Sequence, residues 1–91
     1  MKYLKNREEI QAMEFILDEH TLPVLQVFTE NAIFRTGHRH TPAGGPWAYV
    51  KSGDEKHPTF VILEGEYIAK RADGILFVLT REQLESLYSP L

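Results

Sequence analysis

The stretch Thr59-Phe60-Val61-Ile62-Leu63-Glu64-Gly65-Glu66-Tyr67-Ile68-Ala69-Lys70-Arg71-Ala72-Asp73-Gly74-Ile75-Leu76-Phe77-Val78-Leu79 decides the fold class. Residues 59–63, 67–71 and 75–79 are rich in β-branched and aromatic side chains, which suit a pleated, half-buried surface. Gly65 breaks the first run from the second. Asp73-Gly74 parts the second from the third and supplies the positive φ angles that a tight hairpin turn needs. The pattern predicts a meander of three strands at the centre of an antiparallel sheet. Thr80-Arg81-Glu82-Gln83 then has the form of a capping box, with a hydroxyl at the N-cap and a glutamine three residues on. A short helix is expected there, with Leu84, Leu87 and Tyr88 inward and Ser89-Pro90 ending it.

Working back from this stretch, residues 47–51 have strand composition, and residues 32–35 read as a short strand. Residues 36–46 form a loop broken by Gly37, Pro42, Gly44, Gly45 and Pro46. Thr21-Leu22-Pro23 opens a helix: Thr21 suits an N-cap, and proline is tolerated in a first turn because its missing N–H has no partner there. That helix closes near Glu30 and Asn31. Residues 7–19 admit two readings. Asn6-Arg7-Glu8-Glu9 resembles a capping box before a helix, yet Ile10-Gln11-Ala12-Met13-Glu14-Phe15 alternates as a half-buried strand does.

The expected architecture is therefore α+β: a twisted antiparallel sheet or partial barrel of about five strands, with two short helices near 21–30 and 80–88. Phe15, Leu25, Phe28, Phe34, Phe60, Ile62, Ile68, Phe77, Val78, Leu84 and Tyr88 are its candidate core. A chain of 91 residues makes one domain, residues 1–91. An apolar fraction of 43% and a charged fraction of 25% exclude a disordered tail or a coiled coil. No apolar run is long enough to span a bilayer, so no membrane partner is expected. The absence of cysteine excludes disulfides and thiolate chemistry and suits a cytoplasmic protein.

Charge is unevenly spread. The net charge of −3 argues against a dedicated nucleic-acid binder. Between Glu30 and Asp54, however, there is no acid, and that window carries Arg35, His38, Arg39, His40 and Lys51. A cationic island in an acidic chain attracts anions. Arg35 and Arg39 offer planar forks for phosphate or carboxylate, Gly44-Gly45 could bring backbone N–H groups close to a ligand, and Trp47 and Tyr49 offer faces for stacking. Arg35, His38, Arg39, His40, Trp47 and Tyr49 are the candidate ligand-binding residues. The competing reading is a solvated loop beside a core tryptophan. His38 and His40 would share one side of an extended segment, but without carboxylate or cysteine support they specify no metal. No nucleophile-elbow pattern occurs, and no cofactor motif or P-loop is present. Glu64 and Glu66, two apart across Gly65, read as turn chemistry and not as an acid/base pair.

The run from Thr59 to Lys70 resembles the strand, Pro-Gly-Asp-Tyr-Ile turn and strand of small phage and prophage proteins of the PGDYG type. Asp73-Gly74, residues 75–79 and the late Tyr88-Ser89-Pro90 follow in that family's order, and Met1-Lys2-Tyr3-Leu4-Lys5 with the alternating residues 10–15 resembles its first strand. The resemblance favours strand for the ambiguous N-terminal segment. Glu64 stands at the family's proline and Glu66 at its aspartate, and residues 37–53 have no counterpart. The family is mostly of unknown function, so the resemblance implies a fold and a phage-like origin, and no catalytic residue. Together these readings lead to a non-enzymatic binding protein that engages and inhibits a host factor, such as a defence system, in the host cytoplasm. The alternatives are a module that sequesters an anionic small molecule such as a nucleotide signal, and a small hydrolase using His38 or His40. Exposed strand edges in so small a chain also lead one to expect a homodimer.

Overall fold

The structure, a computed structural model, describes residues 2–5, 8–38 and 45–90. In chain order the elements are β1 (Lys2–Lys5), β2 (Glu8–Glu14), α1 (Thr21–Thr29), β3 (Ile33–Gly37), β4 (Trp47–Lys51), β5 (Thr59–Leu63), β6 (Tyr67–Lys70), β7 (Leu76–Leu79), α2 (Arg81–Leu87) and β8 (Ser89–Pro90). The class is α+β, with helices at both expected places. The strands do not all lie in the single sheet or partial barrel of about five strands that the sequence leads one to expect. They form two antiparallel sheets, a five-stranded one in the order β7-β6-β2-β1-β8 and a three-stranded one in the order β3-β4-β5.

The expected central meander is therefore divided. β6 is hydrogen-bonded to β2 along one edge and to β7 along the other, so β5 has no edge of β6 to join. Gly65, at φ 94°, lets the chain turn out of one sheet and into the other. The Glu66 N–H closes that turn on the Leu63 carbonyl at 3.0 Å, and the Gly65 N–H reaches across to the Phe15 carbonyl at 3.1 Å. β5 instead pairs with β4, Trp47 opposite Leu63 through Lys51 opposite Thr59.

The ambiguous N-terminal segment is a strand. Its period of two explains why: Ile10 and Ala12 are buried on one face of the five-stranded sheet, while Met13 and Phe15 pack on the other. That sheet consequently has apolar cover on both sides. On one side Leu84 and Tyr88, within and just after α2, pack on Ile10, Ala12, Ala69 and Leu79. On the other, Phe15, Ile68 and Leu76 meet Leu25 of α1 and Ile33, Val50 and Ile62 of the second sheet. Phe15, Leu25, Ile62 and Ile68 are fully buried, as the sequence leads one to expect. Phe34 is not: it is 50% exposed, and Ile33 beside it takes the inward position. A shift of register between Ile33 and Arg35 marks a bulge at this point.

Local chemistry sets the ends of the elements. Thr21 is not the N-cap of α1: that position is His20, whose side chain makes no cap bond, and the Asp18 carboxylate accepts the Thr21 N–H at 2.6 Å and the His20 N–H at 2.9 Å. The Thr21 N–H foremost, then the Thr21 hydroxyl and the His20 N–H, hold the Asp18 carboxyl below its ordinary pKa. The helix ends in two left-handed residues, Glu30 and Asn31, and the Asn31 N–H closes on the Gln26 carbonyl at 2.8 Å. Lys70 of β6 donates to the Phe28 carbonyl at 3.1 Å, which ties this end to the larger sheet. At α2 both bonds of the expected capping box form, Gln83 N–H to the Thr80 hydroxyl and Thr80 N–H to the Gln83 amide oxygen. The β6–β7 hairpin uses a longer loop than the Asp-Gly pair alone would make. Gly74 N–H bonds the Arg71 carbonyl and Arg71 N–H the Ile75 carbonyl, and only Gly74 of the pair has positive φ.

Candidate functional site

The outward face of the three-stranded sheet is built from alternate residues. On β4, Ala48 and Val50 point into the core and are fully buried, which turns Trp47, Tyr49 and Lys51 outward. The β4–β5 register sets Leu63 opposite Trp47 and Val61 opposite Tyr49. On β3, Arg35 lies opposite Tyr49 and Gly37 opposite Trp47. The bulge brings Phe34 onto the same face, where its ring stacks on Tyr49 at 6.1 Å.

The resulting surface is aromatic at its centre and cationic at its margin. Trp47 meets Tyr49 edge-on with ring centroids 5.1 Å apart. The Arg35 guanidinium lies 5.9 Å from the Trp47 ring, and the Lys51 ammonium 5.7 Å from the Phe34 ring. Gly37 makes the tryptophan's position possible. A Cβ there would come within 2.4 Å of the Trp47 ring, so the indole rests directly on bare backbone. The three strands carry Arg35 and Lys51 and no acid. Phe34, Tyr49, Val61 and Leu63 are all substantially exposed, which amounts to a contiguous apolar patch on a small protein.

Of the residues singled out by sequence, Arg35, Trp47 and Tyr49 converge on this face. The tryptophan is half-buried and neither sealed in the core nor free. His38 directly follows β3 and is exposed. Arg39, His40 and Gly44 lie outside the described residues. Phe34, Lys51, Val61 and Leu63 are members of the face that the sequence reading does not assign to it. Two adjacent apolar residues, Ile33 and Phe34, face opposite ways, and a run so short gives no phase by which to choose between them.

Other groupings are structural. Ser52, Asp54 and His57 line one cleft. Yet the Ser52 hydroxyl donates to the His57 carbonyl and accepts the Asp54 N–H, so it holds the 52–58 loop together and meets no imidazole nitrogen. Glu64 accepts the Leu17 N–H at 3.2 Å and Glu66 the Leu63 N–H at 2.8 Å, in keeping with turn chemistry. Among the described residues no three His, Asp or Glu side chains converge as a metal site would need. No helix among them is long and apolar enough to cross a membrane. No known protein family, curated protein or solved structure matches the chain.

Proposed function

We propose that the chain is a non-enzymatic binding protein whose outward β3-β4-β5 face docks on a protein partner, an inhibitory engagement of a host factor in keeping with the phage-like motif. The observation that carries this reading is the outward-facing cluster of Phe34, Tyr49 and half-buried Trp47 with Arg35 laid beside the indole. Tryptophan, tyrosine and arginine are the residue types that dominate binding energy at protein interfaces, where rigid rings fill pockets on the partner. The complementary surface has an apolar centre and an acidic rim, because Arg35 and Lys51 border the rings and no acid lies between Glu30 and Asp54. An open, aromatic sheet face suits a macromolecular surface better than a small solute, which needs concavity.

The Arg35–Trp47 pair also supports the alternative of an anionic ligand with a stacking ring, such as a nucleotide. The experiment is affinity capture from host extract with the wild-type chain, Arg35→Glu, Tyr49→Ala and a control, Glu85→Arg on α2. A protein retained by wild type and control but lost from both face variants supports the reading. Equal retention by all four refutes it. A thermal-shift series with nucleotides runs alongside, since a ligand at 100 times its dissociation constant adds about 2.7 kcal/mol. Stabilisation by a nucleotide without protein capture moves the function to the alternative.

A further inference from the structure

β3 is an end strand, and the direction of its backbone groups follows from its neighbours. Glu64 N–H bonds the Pro46 carbonyl and Ser52 N–H the Pro58 carbonyl, so the even-numbered residues of β4, Ala48 among them, bond to β5. Lys51 N–H bonds the Ala32 carbonyl, so the odd-numbered ones bond to β3. Thr36 lies opposite Ala48. Its N–H and C=O therefore aim away from β4, out of the open edge, and no described residue takes them. The Ile33 carbonyl aims the same way and receives the Gln26 amide of α1 at 2.9 Å. The helix thus covers this edge at Ile33 and leaves it bare further on, where Phe34, Arg35, Thr36 and His38 are all exposed. The bulge, a common guard of sheet edges, lies before Arg35, and pairing is regular from Arg35 to Gly37. The other end strands are obstructed. β5 and β7 lie against each other, with the Leu76 N–H already bonded to the Ser52 carbonyl at 2.8 Å, and β8 ends in Pro90, which has no N–H to offer.

We propose that a protein partner adds one extended antiparallel segment to this edge, centred on Thr36, with an acidic side chain opposite Arg35 and an apolar one opposite Gly37. The proposal rests on the docking role of the aromatic face and names what that face reads. Thr36 exchanges two main-chain bonds with the residue opposite it, which therefore cannot be proline. The residues on either side of that one form non-hydrogen-bonded pairs with Arg35 and Gly37, the pairs whose side chains stand closest, and theirs fall on the outward face. Arg35 has no carboxylate partner among the described residues and calls for one there. Gly37 presents no side chain; the Trp47 ring lies over it, within 2.4 Å of where a Cβ would be. The side chain opposite Gly37 consequently meets the indole, and an apolar or aromatic one suits it. Read in the partner's chain direction, the motif is apolar, any residue but proline, acid. A second copy of this chain paired through Thr36 would set its own Gly37 opposite Arg35 and its own Arg35 against the indole, so it lacks the acid.

The test uses the full 15N-labelled chain and capped heptapeptides with Phe-Thr-Glu at the centre and threonine on both flanks. A second set carries Lys for Glu, and a third is N-methylated at the central Thr. Binding by the first set should shift the Thr36 amide signal and slow its hydrogen exchange at least about tenfold. The Lys and the N-methylated sets should bind about tenfold more weakly, the loss expected for one charge-assisted or main-chain hydrogen bond. Arg35→Glu should reverse the preference, so that the Lys set binds it more tightly than the Glu set. A Thr36 signal that no peptide moves, equal binding of the N-methylated set, or an unreversed preference in a folded Arg35→Glu chain would each overturn the proposal. So would protection of the Thr36 amide that rises with protein concentration in the absence of peptide, which would give the edge to a second copy. Should Arg35→Glu not fold, the three sets on the wild-type chain decide alone. If extract proteins are captured through the face while Thr36 stays unmoved by the peptides, the docking reading stands and this inference alone fails.

Discussion

Replacing Gly37 by alanine tests whether the tryptophan face is held by missing atoms. The added Cβ would sit 2.4 Å from Trp47 Cζ2, 2.5 Å from Cε2 and 2.7 Å from Nε1, where ordinary contact begins at 3.4 Å. The indole must therefore retreat by about 1 Å or rotate away, since β3 is fixed by its pairing with β4. What is lost is the contact with Arg35, worth about 0.5–1 kcal/mol at an exposed site. The edge contact with Tyr49, worth about 0.5–1.5 kcal/mol, is lost with it. Alanine recovers roughly 0.5–1 kcal/mol because glycine is costly in a strand. The net effect on folding is modest, about 0–2 kcal/mol, which for a chain of this size lowers Tm by at most roughly 8–16 °C. The effect on the site is large, because the ring leaves its place. Trp47 is the only tryptophan, so its near-UV circular dichroism and emission report on this one position. Gly37→Ala should weaken the near-UV band, redden the emission and raise quenching by iodide, and it should abolish partner capture. An unchanged tryptophan signal would refute the reasoning, and so would a Tm loss equivalent to more than about 3 kcal/mol, which would mean that the ring belongs to the core.

Gly65→Ala makes the opposite experiment: no atom lies within 4 Å of the new Cβ, but the backbone is at φ 94°. It should cost about 1–2 kcal/mol in chemical denaturation with an unchanged tryptophan spectrum, since the strain is conformational and not steric. Asp18 predicts an acid dependence. Its folded carboxyl is held below the ordinary value, so the stability it contributes is present above the unfolded pKa of about 3.9 and fades as pH falls through the lower folded value. Asp18→Asn should therefore flatten the stability profile below about pH 4, measured by urea unfolding across pH; an acid limb as steep as wild type would remove Asp18 from the explanation.

The signals that the sequence displays are those confined to a few neighbouring residues. Thr80 and Gln83 declare a capping box because both of its bonds lie within one turn. Gly74 declares a hairpin, and residues 47–51 and 59–63 declare strands by composition. The partition of those strands was not legible. Whether β6 pairs with β5 or β2 depends on competition for an edge between segments some fifty positions apart, and nothing in residues 59–70 records that β2 wins. The role of Asp18 at the start of α1 has no signature in residue type, because Thr21 is an equally good candidate there. At the site, composition marked Arg35, Trp47 and Tyr49, and the alternation of β4 placed them together. Phe34 and the β5 residues Val61 and Leu63 joined them only through a bulge and a cross-strand register, neither of which has a sequence signature here.

The place where the chain departs from the larger sheet is also the place where it comes back. Phe15 N–H bonds the Glu66 carbonyl at 2.8 Å, Gly65 N–H returns the bond to Phe15, and Leu17 N–H is fastened to Glu64. The segment between these residues, with α1, β3, β4 and β5, leaves and rejoins the larger sheet through a clasped neck and packs back on it through the shared core. Changes in the length of its loops leave the spacing of β2 and β6 untouched, because the neck is already shut. The inward residues of this appendage are committed to a shared interior, while its outward ones contact chiefly one another. Such a design lets the outward β3-β4-β5 surface change in sequence while the supporting sheet stays the same.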